Sequence, residues 1–189
     1  MGLFGIFKRP KTAKAKRDAL PKIVGAEATL RSKHSCIQTG KAAICFKPVD
    51  SPFFSRLSEE LKSSLWKSIR STTYTFQVQE DSHGYKWLVV SDRYFDELAS
   101  VVHLVDETFA SKDLDSTLLA AVFEFKREAQ TLYWVYNYKR GLFYPFVPLP
   151  GNMQRDNSFE LQLKTWMEGE LPLEPSLEQW YGLWGIPIS

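Results

Sequence analysis

The chain has 189 residues, with 24 Lys+Arg against 22 Asp+Glu and a formal net charge of +2. At 44% hydrophobic and 24% charged, it suits one domain with an appendage and excludes disordered, collagenous and low-complexity classes. Its two cysteines, Cys36 and Cys45, exclude a disulfide framework and, by themselves, a structural zinc site; no apolar run approaches the ~18–20 residues of a membrane span, so a soluble or peripheral intracellular protein is expected.

The near-neutral total hides a split. Residues 1–23 hold seven basic residues and one acidic, net +6, and residues 24–189 carry −4. The first nine residues, MGLFGIFKR, place Leu3, Phe4, Ile6 and Phe7 within an arc of about 160° on a helix. Lys8, Arg9 and Lys11 follow, and Pro10 closes the helix. Nine helical residues reach only about 13 Å, too short to span a bilayer. An apolar wedge followed by a basic patch is the two-signal arrangement of reversible membrane binding. Leu3, Phe4, Ile6, Phe7, Lys8, Arg9 and Lys11 are therefore the candidate contacts with an anionic membrane surface. The charges follow the apolar stretch instead of preceding it, which argues against a secretory signal. Ile6 stands where a myristoylation pattern wants Ser or Thr. The alternatives are a solvated tail or a segment that docks on the protein's own body.

Residues 11–22, rich in Lys and Ala and carrying Pro21, read as a linker, so the expected division is an arm over 1–23 and one domain over 24–189. Extended chain is expected at about 26–31 and 42–48. Ser51-Pro52 opens a helix, Ser as cap and Pro at the first helical position, with Phe53, Leu57, Leu61, Leu65 and Ile69 on one face. Thr72–Gln79 and Tyr85–Val90 form a hairpin around a polar turn at 80–84. A second helix starts near Asp92, its stripe Phe95, Leu98, Val102, Val105 and Phe109.

A meander of Leu118–Phe125, Thr131–Tyr138 and Leu142–Val147 follows, its middle strand apolar on both faces and so covered on both sides. Asn157 with Glu160 predicts a capping box for a third helix ending at Gly169. Leu177, Trp180, Tyr181 and Trp184 fall at the spacing of a short last helix. The expected fold is one α+β domain with an antiparallel-rich sheet and three main helices.

Catalytic signals are weak. His34, His83 and His103 have no ligand or nucleophile at motif spacing; His34 and His83 read as exposed, Cys45 as strand packing and Cys36 as a loop thiol. There is no G-x-G-x-x-G, P-loop or G-x-S-x-G. No catalytic residue, metal or cofactor is expected. The acidic body argues against a nucleic-acid partner. Seven aromatics lie within 133–146. They read first as core. The alternative is an aromatic surface built from Tyr133, Tyr136, Tyr144 and Phe146 with a polar rim of Arg155-Asp156-Asn157 beside Tyr138-Lys139-Arg140-Gly141, and Tyr138, Lys139, Arg140, Tyr144, Arg155 and Asp156 are the candidate partner-binding residues.

Asn137-Tyr138-Lys139-Arg140-Gly141 with Phe143-Tyr144-Pro145-Phe146 resembles the signature stretch of the PspA-associated PspAB family. Arg155-Asp156-Asn157 with Glu160-Leu161, the Phe46-Lys47-Pro48 strand end, the Trp-bearing C-terminus and the opening Met-Gly-Leu-Phe are similar too. The resemblance runs along nearly the whole chain. It implies an accessory protein of the phage-shock envelope-stress response, partnered with PspA, a coiled-coil membrane-remodelling protein, and acting without catalysis at the cytoplasmic membrane face. It supplies no catalytic residue. The order of elements also resembles the YbjN and type III secretion chaperone-like fold. A chaperone-like module that holds a partner helix without membrane contact is the alternative function, and an enzyme of unrecognised type the third.

Overall fold

The alternation of large apolar side chains in six segments produces an antiparallel sheet. A computed structural model describes residues 17–49, 59, 63, 75–151 and 153–188. Among them the strands are β1 (Ile37–Phe46), β2 (Thr75–Glu80), β3 (Lys86–Ser91), β4 (Leu118–Arg127), β5 (Gln130–Asn137) and β6 (Leu142–Phe146), and the helices α1 (Lys22–His34), α2 (Phe95–Ala110) and α3 (Asn157–Trp166). The strands lie in the order β2-β3-β1-β4-β5-β6, every neighbouring pair antiparallel. The expected α+β domain with an antiparallel sheet is therefore the observed one.

Period-two alternation divides the sheet's side chains between two cores. On one face Ile44, Phe46, Phe123, Trp134, Tyr136 and Phe143 pack against Ile23 and Leu30 of α1, Leu98, Val102 and Val105 of α2, and Leu163 of α3. On the other, Ala43, Cys45, Trp87, Val122, Val135, Tyr144 and Phe146 are covered by the C-terminal segment through Trp180, Leu183, Trp184 and Ile188. β5 is buried on both faces as its composition predicts, although it is fifth of six in order. The outer edge of β6 is covered as well. Phe143 N–H donates to Pro172 O, and Glu174 N–H to Phe143 O, both at 2.8 Å, which closes an edge that would otherwise invite pairing with another chain.

β1 carries a register shift between Gln38 and Ala42. Gly40 sits there at φ +74°, and a Cβ on it would lie 2.5 Å from Asp92 O. Only glycine fits both the angle and the contact.

Several expectations are corrected. The stretch read as linker and extended chain at 11–22 and 26–31 is, over its described part, the approach to α1 and α1 itself. Ile23, Ala26 and Leu30 at spacings of three and four form a narrow buried stripe, with Ala19 and Leu20 buried just ahead of it. Val24, Gly25 and Thr29 are poor helix formers, and tertiary burial overrides them. Ser35 at φ 55° ends the helix, and Cys36 N–H donates to Leu30 O at 2.9 Å.

The cap of α3 is Asp156, whose carboxylate accepts from Phe159 N–H at 2.9 Å, with Asn157 as first helical residue. Glu160 is buried and bonded elsewhere. The expected last helix is a single 3₁₀ turn, Leu177–Gln179, with Leu177 and Tyr181 exposed and Trp180 buried. The segment lies across a sheet face, so its apolar spacing is not helical burial. The arm and most of the helix expected from Ser51 lie outside the described residues; Glu59 and Ser63 within that stretch are helical.

Candidate functional site

Where β1, β3 and β5 meet the turns at one end of the sheet, the two layers part around a cleft of about 1120 Å³. Its walls come from five places: the β1 exit at Cys45 and Lys47, the β2–β3 turn at 81–85, the start of β4, the β5 exit at Tyr136–Lys139, and Tyr181–Gly185 of the C-terminal segment. Arg17, Asp106 and Asp115 close one side and Met153 stands on the rim. About half of the lining is aromatic and aliphatic, and the rest is largely charged and polar, with both signs present at Arg17, Lys47, Lys139, Asp81, Asp106 and Asp115, a mixture that suits an amphipathic ligand.

Local structure fixes each wall. Asp81 Oδ1 accepts from the backbone N–H groups of His83 and Tyr85 at 2.9 and 3.0 Å, and its Oδ2 accepts from Trp87 Nε1 at 2.8 Å. Burial works to raise this carboxyl's pKa, but the Trp87, His83 and Tyr85 hydrogen bonds outweigh it and hold it below the usual value. Trp87 is opposite Cys45 in the β1–β3 register, which puts indole and thiol on the cleft side of the sheet. Tyr144 Oη donates to Tyr181 O at 3.1 Å and its ring stacks on Trp180, centroids 6.2 Å apart. Trp184 meets Phe146 edge-on at 5.1 Å and leaves no room for a side chain at Gly182, where a Cβ would lie 2.8 Å from Trp184 Nε1.

Asp106 is the anomaly. It lies on the buried face of α2 and is fully buried, and among the described residues its Oδ2 has no hydrogen-bond partner; the buried Oη of Tyr138, a residue otherwise half-buried, has none there either. Burial pushes the Asp106 carboxyl up to about 6, with Arg17 pulling it down and Asp115 and Glu107 adding to the rise. Arg17 stands 4.0 Å from Asp115. The sequence signal was present: Asp106 falls four residues after Val102 and three before Phe109, inside an apolar stripe where a carboxylate is expensive.

Of the predicted partner-binding residues, Tyr138 and Lys139 line the cleft. Tyr144 lines it too but is buried and bonded. The other three are each bonded within the fold. Arg140 is paired with buried Glu174. Arg155 Nε lies 2.9 and 2.8 Å from the two Glu160 oxygens, while its Nη1 donates to Trp180 O at 2.6 Å. Asp156 caps α3 and also accepts from Gln130. Lys-Arg-Gly and Arg-Asp-Asn look like an exposed rim because their partners, Glu174 and Trp180, are far along the chain. Leu3, Phe4, Ile6, Phe7, Lys8, Arg9 and Lys11 lie outside the described residues. Asp81, Trp87, Asp106, Tyr181 and Trp184 line the cleft without being among the candidate partner-binding residues of the sequence.

Titratable and nucleophilic groups are scattered. His34 is half-buried, not exposed as expected, and stacks on Trp166 with centroids 4.0 Å apart; burial and then Lys33 lower its pKa. His83 is exposed as expected, and its Nδ1 lies 3.4 Å from Ser82 Oγ; Asp81 is engaged by backbone and Trp87, so it does not orient the imidazole as a triad acid must. His103 pairs with Glu107 at 3.5 Å. Cys36 is a buried core residue, not a loop thiol, and Cys45 is buried strand packing as expected. Burial raises their pKa values to about 11 and about 12. Among the described residues no group of His, Cys, Asp and Glu could hold a metal ion.

This is an α+β domain with an open aromatic cleft, and among its described residues no helix is long and apolar enough to cross a membrane. The family model described as PspA associated protein B matches residues 1–188, and the chain belongs to that family. Membership associates it with PspA. No curated protein and no solved structure matches the chain.

Proposed function

We propose that the protein is a non-catalytic accessory or adaptor of a PspA-type envelope-stress response, acting by protein contact at the cytoplasmic face of the membrane. Family membership supports the association with PspA. The observation that carries the mechanism is the cleft: about 1120 Å³, walled in part by Trp87, Tyr138, Tyr181, Leu183 and Trp184. A preformed apolar groove of this kind suits an amphipathic helix, which reads as anchors at i, i+3, i+4 and i+7. A coiled-coil protein carries such faces. The basic arm adds attraction to an anionic leaflet, about 1 kcal/mol per residue near the surface.

The experiment is titration calorimetry of the full chain with purified PspA from the same cells. A complex is expected, and Tyr181→Glu with Met153→Glu should weaken it at least tenfold. Both side chains are well exposed, at 52% and 78%, so folding should be retained. Absence of a complex, or one indifferent to the double variant, overturns the proposal. The chaperone-like reading uses the same cleft and is distinguished by vesicle binding, which it does not require.

A further inference from the structure

We infer that the sheet-end cleft is also the docking site of the chain's own N-terminal segment, residues 1–16, whose apolar side chains Leu3, Phe4, Ile6 and Phe7 fill the groove in cis when no membrane or partner holds them. This rests on the reading of the cleft as a groove for an amphipathic segment.

Three observations point to this occupant. The first is connectivity. Arg17 is itself part of the cleft wall, so the sixteen residues before it enter at the rim of the groove. From Arg17, Phe7 is ten residues back and Leu3 fourteen. An extended chain covers up to roughly 3.4 Å per residue, so any wall of the cleft is within reach, and closing so short a loop costs little entropy compared with recruiting a second molecule.

The second is charge. Residues 1–16 hold Lys8, Arg9, Lys11, Lys14 and Lys16 and no acid, while residues 24–189 carry −4. Asp81, Asp106 and Asp115 face the groove. Cleft cations are present too, at Lys47 and Lys139, so complementarity is local, centred on the Asp106–Asp115 side where Arg17 already sits.

The third is the pair of unsatisfied groups. Asp106 and Tyr138 both line the groove, and among the described residues the buried Oδ2 of the one and the buried Oη of the other have no hydrogen-bond partner. Buried polar atoms in a folded protein are nearly always satisfied, and a lysine or arginine side chain supplies the donors that both can accept. A basic, apolar segment tethered at that wall meets all three conditions.

The consequence is a competition. Whatever takes the arm, lipid or another protein, uncovers the groove, and whatever takes the groove frees the arm.

The test uses the full chain with Gly2→Cys carrying a nitroxide and isotope-labelled tryptophan. Cys45, buried but part of the cleft wall, is removed by Cys45→Ala, and native Cys36 is buried and escapes labelling. Expected is loss of the Trp87 and Trp184 indole signals, with Trp166 retained, since that ring lies against His34 beside α1. Phe4→Glu with Phe7→Glu should restore both signals, and Asp106→Asn should restore them in part. Retention of all signals in the labelled chain overturns the inference. So does loss when nitroxide and isotope are carried by different molecules, which would make a second copy the occupant. Phosphatidylglycerol vesicles should restore the signals. Signals that stay lost on vesicles leave the docking supported and count instead against membrane binding by the arm. PspA is absent from the experiment, so failure to bind PspA and failure to dock are separate results.

Discussion

Arg140 and Glu174, 34 residues apart, form a bidentate ion pair, Nε to Oε2 at 2.6 Å and Nη2 to Oε1 at 2.9 Å. The carboxylate is 1% exposed and the guanidinium 41%, so the pair joins the tip of the β5–β6 hairpin to the start of the C-terminal segment with only its cationic end in water. Glu174 also accepts from Ser176 N–H and, through its backbone carbonyl, from Trp180 Nε1, each at 3.1 Å. With Arg155, which reaches from Glu160 to Trp180 O, it fastens the segment that covers the second face of the sheet and supplies one wall of the cleft.

The pair is asymmetric, so its two halves should respond differently. Arg140→Ala leaves a buried carboxylate without its cation and should cost about 1.5–3 kcal/mol, the range for hydrogen bonds to a charged group. Arg140→Lys should recover only part, because an ammonium cannot make the two-pronged contact. Glu174→Gln leaves a guanidinium that water can solvate and should cost less than Arg140→Ala. Urea midpoints of the three variants check the order. An Arg140→Ala cost within about 0.5 kcal/mol, as at an ordinary surface site, would show that the pair does not hold the segment.

Asp156 should behave as a cap and not as a binding residue. It accepts from Phe159 N–H at 2.9 Å and from Gln130 Nε2 at 3.2 Å. Asp156→Ala should destabilise by about 1 kcal/mol and Asp156→Asn by less, since asparagine caps nearly as well. Thermal melts measure the stability, and PspA titration should show unchanged affinity for both variants.

The parts of this fold legible in the sequence are those in which local pattern and burial agree. β4, β5 and β6 alternate or run apolar between turn residues, and α2 shows an uninterrupted three-four stripe over Phe95, Leu98, Val102, Val105 and Phe109. α1 was missed because Ile23, Ala26 and Leu30 make a thin stripe among residues of poor helix propensity, and only packing against the sheet decides it. The C-terminal segment departs for the opposite reason, a helical spacing in an irregular chain with a single 3₁₀ turn that lies across β-strands. The cleft is half legible: Tyr138 and Lys139 are there, but Arg140, Arg155 and Asp156 read as a polar rim because the Arg140–Glu174 ion pair and the hydrogen bonds of Arg155 to Trp180 O and of Gln130 to Asp156 join residues distant in the chain and leave no trace in local spacing. Asp106 was the one strong signal in plain view.

The β2–β3 turn carries a pH dependence whose sign follows from Asp81. Its carboxyl is held below the ordinary value of 3.8, burial being outweighed by hydrogen bonds from Trp87, His83 and Tyr85. A depressed folded-state pKa contributes stability above the unfolded value, and that contribution is lost as pH falls through the folded one. Asp81→Asn should therefore destabilise the hairpin at neutral pH, and the difference from the native chain should close below about pH 4. The Trp87 indole N–H resonance of the isotope-labelled chain follows it directly, because its indole donates to the same carboxylate. A difference that persists unchanged into acid would mean that geometry and not charge holds the turn.

The arm offers the most direct test of membrane contact. If Leu3, Phe4, Ile6 and Phe7 enter the interface while Lys8, Arg9 and Lys11 meet anionic headgroups, vesicle binding needs both parts. The full chain should co-sediment with phosphatidylglycerol vesicles and poorly with phosphatidylcholine. Deleting residues 1–10 should release it and leave the body folded, because Ala19, Leu20 and the buried stripe of α1 lie beyond the cut. Phe4→Glu with Phe7→Glu should do the same, since two carboxylates would have to sit at the apolar boundary. Salt should weaken binding as the Debye length shrinks from about 10 Å at 0.1 M to about 3 Å at 1 M. The apolar part of the affinity does not screen, so binding should fall toward a residual level and not to zero. Binding that survives the deletion would place the lipid contact on the body, and a deletion that melts the body would make the arm an internal strut.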